Sequence, residues 1–238
     1  MFDLQGMRII ISGAAGGIGH ATALMCARMG ASVIATDIRP LDRLQSDIEE
    51  TGDRFTAIRC DVSQFQETKE LAERVGTVSG IVAAAGIQPY DDWRDPDWEQ
   101  NWTNVLSVNA LGAVNLTRAF FEDMKSAGGK IVLVGSQAGR NGGAYSSPHY
   151  VFSKGGIHSY CRWLAKKGTR YGIHVNCVAP GPVNTPFVDG LEIDPSELPL
   201  GRIAGTDDVA GPIVFLLSPA ANYITGVILD VNGGLSFN

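Results

Sequence analysis

The sequence predicts an α/β fold: one doubly wound parallel sheet of about seven strands with helices on both faces, occupying residues 1–238 as one domain. Three observations predict it. Short apolar, β-branched runs alternate with longer stretches of helical periodicity, without a repeat or a linker between them. A glycine-rich turn joins the first such run to the first helical stretch. Small and polar residues recur directly after the apolar runs, at the carboxyl ends of strands, where open α/β sheets place their ligands.

Composition narrows the function classes. A chain of 238 residues, 45% hydrophobic and 18% charged, can bury a substantial core and is globular in character. A net charge of −6 gives no basic footprint for nucleic acid. No apolar run reaches the roughly 18 residues of a membrane span. The start, MFDLQGMRIIISG, has no basic segment ahead of a long apolar one, so no signal peptide is expected. Cys26, Cys60, Cys161 and Cys177 form no CxxC pair and no metal-ligand spacing. They read as reduced, buried thiols in a cytoplasmic protein that holds no metal.

Arg8–Ser12 is the first strand. It opens into Gly13-Ala-Ala-Gly16-Gly17-Ile18-Gly19, and residues 20–29 form a helix stopped by Gly30. Glycines there let the backbone approach a pyrophosphate, which then rests on the helix's amide-rich end. Ala31–Thr36 is the second strand, ended by Asp37, 18 residues after Gly19. A carboxylate about 20 residues beyond the glycines accepts a ribose 2′-hydroxyl and repels a 2′-phosphate, which favours NAD over NADP. Arg39 could compensate, and Asp37 could instead cap the next helix. Phe55–Cys60 is strand three. Asp61 after it either accepts from an adenine amino group or caps a helix over 64–74.

Ser79–Ala85 is strand four, closed by Gly86. Residues 88–100 form a polar, aromatic loop in which Trp93 and Trp98, with Trp102 beyond, serve as packing anchors. Residues 101–126 carry one long helical pattern interrupted by Asn109, a mediocre helix former whose amide either makes a structural contact or kinks the helix for function. Strand five is Lys130–Val134 with Gly135, and Ser136 follows at its carboxyl end. Pro148 suits a helix start, and the helix over 149–171 carries Tyr150 and Lys154 on one face, one turn apart. A phenol with a pKa of about 10 is a poor base at neutral pH. A nearby ammonium favours the phenolate, so Lys154 is expected to lower the Tyr150 pKa. Strand six, Ile173–Ala179, leads to Pro180-Gly181-Pro182-Val183-Asn184-Thr185 and a loop over 187–205. A helix over 207–217 and a strand over 224–231 complete the chain.

With Ser12-Gly13-x-x-x-Gly17-x-Gly19, Asp61, Ala85-Gly86, Asn109, Ser136, Tyr150-x-x-x-Lys154, Pro180-Gly181…Thr185 and the tail from Pro199 to Gly234 in order, the chain resembles the short-chain dehydrogenase/reductase family. The resemblance is to its compact single-domain branch and covers nearly the full length. It implies a Rossmann fold in which Tyr150 is the general acid/base, exchanging a proton with the substrate hydroxyl as hydride moves to or from a nicotinamide. It further implies that Lys154 tunes Tyr150 and holds the nicotinamide ribose, that Ser136 hydrogen-bonds the reacting oxygen, and that Asn109 fixes a water in a proton relay. Gly13, Gly17, Ile18, Gly19, Asp37, Asp61, Val62, Ala85, Gly86, Tyr150, Lys154, Pro180, Gly181, Val183 and Thr185 would hold NAD. Two departures stand out: Ala83-Ala84-Ala85-Gly86 lacks the family's frequent Asn, and Ser12 replaces the more usual Thr.

The expected activity is hydride transfer between NAD(H) and a small, neutral, cyclic or acyclic secondary alcohol or ketone. Its pocket would draw on Ser136, Gln88, Tyr90, Gln137, Tyr145, His149, Pro182 and Phe187, a rim with few charges. The alternative is an NADPH-dependent 3-oxoacyl-thioester reductase docking an acidic carrier protein on Arg162, Lys166, Lys167 and Arg170. A redox-sensing binder without catalysis would not need the full Ser–Tyr–Lys–Asn set. Apolar residues on several sides of the two long helices, together with the family's habit, imply a homo-oligomer, a dimer or homotetramer.

Overall fold

The computed structural model describes residues 2–49, 54–144 and 146–237. Seven strands, β1 Arg8–Ser12, β2 Ser32–Asp37, β3 Phe55–Arg59, β4 Gly80–Ala83, β5 Gly129–Val134, β6 Ile173–Pro180 and β7 Ile228–Val231, form one sheet in the order β3-β2-β1-β4-β5-β6-β7. Every adjacent pair is parallel, with Ile10 opposite both Ile34 and Ile81 at the centre. The order reverses between β1 and β4, and a crevice opens there at the carboxyl edge.

The helices are α1 Gly17–Arg28, α2 Asp42–Glu49, α3 Phe65–Val75, α4 Trp98–Val105, α5 Gly112–Met124, the short α6 Ala138–Asn141, α7 Pro148–Gly168 and α8 Thr206–Leu217. Side chains alternate across each strand, and helices cover both faces of the central strands, which are nearly all apolar, whereas the edge strand β3 leaves Thr56, Ala57 and Arg59 exposed. Ile10, Ile81, Ile131 and Val175 pack against α3, α5 and α7. Ile9, Ile11, Val33, Val132 and Val178 pack against α1, α2 and α8.

Several expected boundaries shift. The fourth strand is shorter than Ser79–Ala85, and the last begins at Ile228 rather than 224. The long pattern over 101–126 is not one α-helix. Leu106–Leu111 form a π-helical stretch between α4 and α5. Helix α6 lies in a stretch where no helix was expected. Helix α7 and a following 3₁₀ turn, Thr169–Tyr171, end at Gly172, whose φ of 69° is left-handed. No helix among the described residues is long and apolar enough to cross a membrane. The four cysteines are free and buried. Trp93 is largely exposed rather than a buried anchor, whereas Trp98 and Trp102 pack with ring centroids 5.4 Å apart.

Candidate active site

A cleft of about 680 Å³ runs along the carboxyl edge of the sheet. One end is built by the glycine turn. Gly13 has φ 69°, and a Cβ there would lie 2.7 Å from the Ala85 nitrogen. A Cβ on Gly19 would lie 2.2 Å from the Gly13 carbonyl oxygen. The turn is therefore wound tightly on itself, and only glycine fits. Gly16 precedes α1 and offers no side chain to its first-turn amides, which leaves them open toward the cleft. The Ser12 hydroxyl accepts from the Ala85 N–H at 3.4 Å, a polar tie between β1 and the end of β4 where the alanines supply none.

Asp37 ends β2 and is buried. Its Oδ2 accepts from the Ala15 N–H at 3.0 Å, which fixes the glycine turn to the strand. Arg39 donates its backbone N–H and Nε to Oδ1 at 3.0 and 3.1 Å, and Nη2 to Oδ2 at 3.1 Å. Burial raises the carboxyl pKa, but the Arg39 and Ala15 bonds outweigh it and hold Asp37 ionised below its ordinary range. Asp37 does not cap α2, which begins five residues later at Asp42. Nor does Asp61 cap α3: its Oδ1 accepts from the Ser63 N–H at 2.9 Å, while Gln64 precedes the helix.

The other end holds the polar set. Ser136 follows β5, fixed between the Gly135 N–H bond to the Val178 carbonyl (2.8 Å) and the Gln137 N–H bond to the Pro180 carbonyl (2.9 Å). Its Oγ accepts from the Ala138 N–H at 3.1 Å, which leaves its own proton to donate to the Tyr150 phenol. Pro148 starts α7, which puts Tyr150 in the first turn and Lys154 one turn on, both buried. Lys154 Nζ donates to the Val134 carbonyl at 2.9 Å and lies 5.7 Å from the centre of the Tyr150 ring. Asn109 sits in the π-helical stretch. A methyl built on Gly86 would lie 3.3 Å from Asn109 Oδ1 and 3.6 Å from Lys154 Nζ, so both groups converge on Gly86.

The electrostatics correct one expectation. Burial pushes the Tyr150 phenol up to about 12, with the Ser136 hydrogen bond pulling the other way and Tyr90 reinforcing the rise. Burial likewise lowers Lys154 to about 8. The ammonium is committed to the Val134 carbonyl, 5.7 Å from the ring centre, and desolvation of the phenolate is the dominant influence on the phenol. Lysine proximity does not make the phenol acidic in this state.

Of the residues singled out by sequence, Gly13, Gly17, Ile18, Gly19, Asp37, Asp61, Val62, Ala85, Gly86, Gln88, Ser136, Gln137, Tyr150, Lys154, Pro180, Gly181, Val183, Thr185 and Phe187 line the cleft. So do Tyr90 and Pro182. Asn109 stands behind the lining, bonded to both backbone atoms of Ile87. Tyr145 lies outside the described residues. His149 does not belong to the rim: it is fully buried, bonded to Ser147 and Asp91, because its ring turns about 100° from Tyr150 on the helix, away from the cleft. Sequence reasoning missed Asn101, Asn104 and Val108, which line the substrate end. Their spacing of three and four residues was the available signal, hidden by the neighbouring tryptophans. Tyr90 donates its hydroxyl to the Phe187 carbonyl and so joins two loops across the mouth.

Comparison with known proteins gives a consistent result. A family model described as enoyl-(acyl carrier protein) reductase matches residues 13–236. The 3-oxoacyl-[acyl-carrier-protein] reductase of Thermotoga maritima is 35% identical over 247 residues, covering 98% of each chain. The L-rhamnose 1-dehydrogenase (NAD(P)(+)) of a Sphingomonas species is 34% identical over 251 residues, covering 99% of this chain and 98% of its own. The crystal structure of a 3-oxoacyl-[acyl-carrier protein] reductase with bound NAD from Brucella melitensis superposes with a TM-score of 0.92 at 29% identity, covering 100% of this chain and 94% of that one.

Proposed function

The chain belongs to the short-chain dehydrogenase/reductase family, and from that premise we propose that it transfers a hydride between NAD(H) and a small, neutral secondary alcohol or ketone, with Tyr150 as general acid/base. The observation that carries this reading is the convergence of the Ser136 hydroxyl, the Tyr150 phenol and the Lys154 ammonium on one end of a cleft whose other end is a glycine turn.

The residues fit a nicotinamide dinucleotide. The uncapped amides ahead of α1 suit a pyrophosphate. The ionised Asp37 suits a 2′-hydroxyl and opposes a 2′-phosphate, which favours NAD. Asp61 and Val62 suit the adenine end, and Val183 and Thr185, with Thr185 beside Gly17, the nicotinamide end. When bound, the dinucleotide supplies the hydride donor or acceptor. The chain's own groups do the rest: Ser136 donates to the reacting oxygen, Tyr150 exchanges the proton with it, and Lys154 carries positive charge beneath. Asn109 holds the wall beside Lys154 and fixes the relay water. One positioned acid/base group is worth about 10²–10⁴ in rate.

The substrate end supports a neutral compound. Its lining beyond the catalytic set consists of amides (Gln88, Asn101, Asn104, Gln137), Tyr90 and apolar residues such as Val108, Phe187, Leu191 and Ile193. Apart from Lys154 of the catalytic set, no cationic side chain lines that end among the described residues to pair a carboxylate or phosphate. Gln137 Oε1 is buried without a partner, an acceptor suited to a second hydroxyl of a cyclic substrate. The alternative, reduction of a 3-oxoacyl group on a carrier protein, draws on the similarity to the Thermotoga enzyme. Its expected docking residues Lys166 and Lys167 are exposed, but they lie roughly 24 Å along α7 from Tyr150. The exposed Leu111, Phe152 and Trp163 on the long helices suit burial against a second copy of the chain, so a homo-oligomer is part of the proposal. The buried thiols suit the cytoplasm.

Turnover of a panel of cyclic and acyclic alcohols with NAD and with NADP tests the reading. Tyr150→Phe should bind NADH as the parent does while losing at least about 10²-fold in turnover. Full activity in that variant, or a strong NADP preference in the parent, refutes the assignment.

A further inference from the structure

The segment between β4 and α4 delivers Gln88, Pro89 and Tyr90 to the cleft wall. It is tied on both sides. Before it, Asn109 grips Ile87, accepting from its N–H at 2.8 Å and donating to its carbonyl at 2.9 Å. After it, Asp91 Oδ1 meets His149 Nε2 at 2.9 Å, and Oδ2 accepts from Asn101 Nδ2 at 3.1 Å. Three wall residues hang between two clamps.

The second clamp reaches the catalytic tyrosine. The Tyr150 backbone N–H lies 3.0 Å from His149 Nδ1, and an amide can only donate, so Nδ1 is the accepting nitrogen. The Ser147 hydroxyl, 2.7 Å from the same atom, therefore also donates to it. In the neutral ring the remaining proton sits on Nε2 and is given to Asp91. Trp98 stacks on the ring with centroids 6.1 Å apart, closing it from water. One fully buried imidazole is thus bonded on one edge to the backbone of Tyr150 and on the other to the loop that forms the wall facing it.

We propose that the Asp91–His149 pair is a positioning device that fixes the Gln88–Tyr90 wall relative to Tyr150, so that it governs how tightly and selectively the alcohol is held rather than how fast hydride and proton move. The inference rests on the reading of Tyr150 as acid/base. Tyr90 extends the same wall across the mouth through its bond to the Phe187 carbonyl, so a displaced Asp91 alters both sides of the substrate end.

The test is steady-state kinetics on the full-length chain with NAD and the best alcohol of the panel, beside NADH titration by fluorescence. Asp91→Ala should raise KM for the alcohol about tenfold or more, since loss of a positioning contact is felt in bound-state geometry, while kcat stays within about threefold. NADH affinity should not change. Asp91→Asn keeps an acceptor for His149 Nε2 and should restore most of the loss, whereas Asp91→Leu, which fills the space without an acceptor, should not. Should Asp91→Ala fail to fold, Asp91→Glu keeps the carboxylate but lengthens the tie, and a raised KM at parental kcat is expected there too. An unchanged KM in Asp91→Ala, or in Asp91→Glu where the alanine variant does not fold, overturns the proposal, as does a fall in kcat and NADH affinity together. Tyr150→Phe in the same assay separates the two claims: full turnover there sinks the acid/base reading, whereas a KM effect at Asp91 is independent of it.

Discussion

Replacing Lys154 by Met is expected to abolish most activity while relieving the fold of a buried charge. The wild-type ammonium is buried and its pKa falls from 10.5 to about 8. At about 1.36 kcal/mol per pH unit, that displacement corresponds to ~3 kcal/mol of stability withheld wherever the group is protonated in both states. Met fills a similar volume without the charge but leaves the Val134 carbonyl without the donor it has at 2.9 Å, at a cost of about 1–3 kcal/mol. The two terms nearly cancel at neutral pH, so the pH dependence is the decisive quantity. A lowered folded-state pKa means that the unfolded chain holds more protons between about 8 and 10.5, so wild-type stability gains from this group as pH rises through that window. From pH 7 to pH 9 the penalty shrinks by about 1.3 kcal/mol, and the lost hydrogen bond does not titrate. The assay is urea unfolding of both proteins without cofactor, at equal protomer concentration, at the two pH values. The stability of Lys154→Met minus that of wild type should fall by about 1.3 kcal/mol from pH 7 to pH 9. A difference that does not change with pH, or that grows, would show that Lys154 is not held as a costly buried ammonium.

Other consequences follow from the same geometry. With Tyr150 pushed up to about 12 by burial, the phenolate is scarce at neutral pH, so kcat/KM for alcohol oxidation should climb roughly tenfold per pH unit from pH 6 to 8, while ketone reduction, which uses the protonated phenol, stays flat. A plateau in oxidation below pH 8 would mean the phenol is acidic after all. Asp37→Ser removes the acceptor for a 2′-hydroxyl and frees Arg39; since hydrogen bonds to charged groups are worth about 1.5–3 kcal/mol, the NAD-to-NADP ratio of kcat/KM should fall roughly 10–100-fold. Retention of the parental ratio would remove Asp37 from cofactor choice. Gly19→Ala places a Cβ 2.2 Å from the Gly13 oxygen, and the turn must open. The expected outcome is loss of NADH binding together with about 1–3 kcal/mol of stability, read by titration and thermal unfolding; normal binding would contradict the tight winding of the turn.

Features set by short-range periodicity were legible in the chain itself. Seven apolar runs announced seven parallel strands, because a sheet covered on both faces needs no polar alternation. The glycines before α1, Asp37 at the end of β2, Ser136 after β5 and the one-turn spacing of Tyr150 and Lys154 are local patterns, and all of these residues line one cleft. Element ends were less legible. The π-helical stretch around Asn109 forms where one polar amide finds both backbone atoms of Ile87, 22 residues away, and no pattern within the helix announces that partner.

What only the tertiary structure decided is the character of those groups. The sequence places Lys154 beside Tyr150, but whether the phenol is made more or less acidic depends on how much water the whole fold removes from it, and burial won. His149, adjacent to Tyr150 in the chain, faces Asp91 across 58 residues instead of the cleft. Arg39 folds back onto Asp37, which keeps the carboxylate ionised while pairing its charge. Local spacing determines which side chains share a face. Desolvation and hydrogen-bond partners are sums over residues distant in sequence, and they exist only once the chain has closed around them.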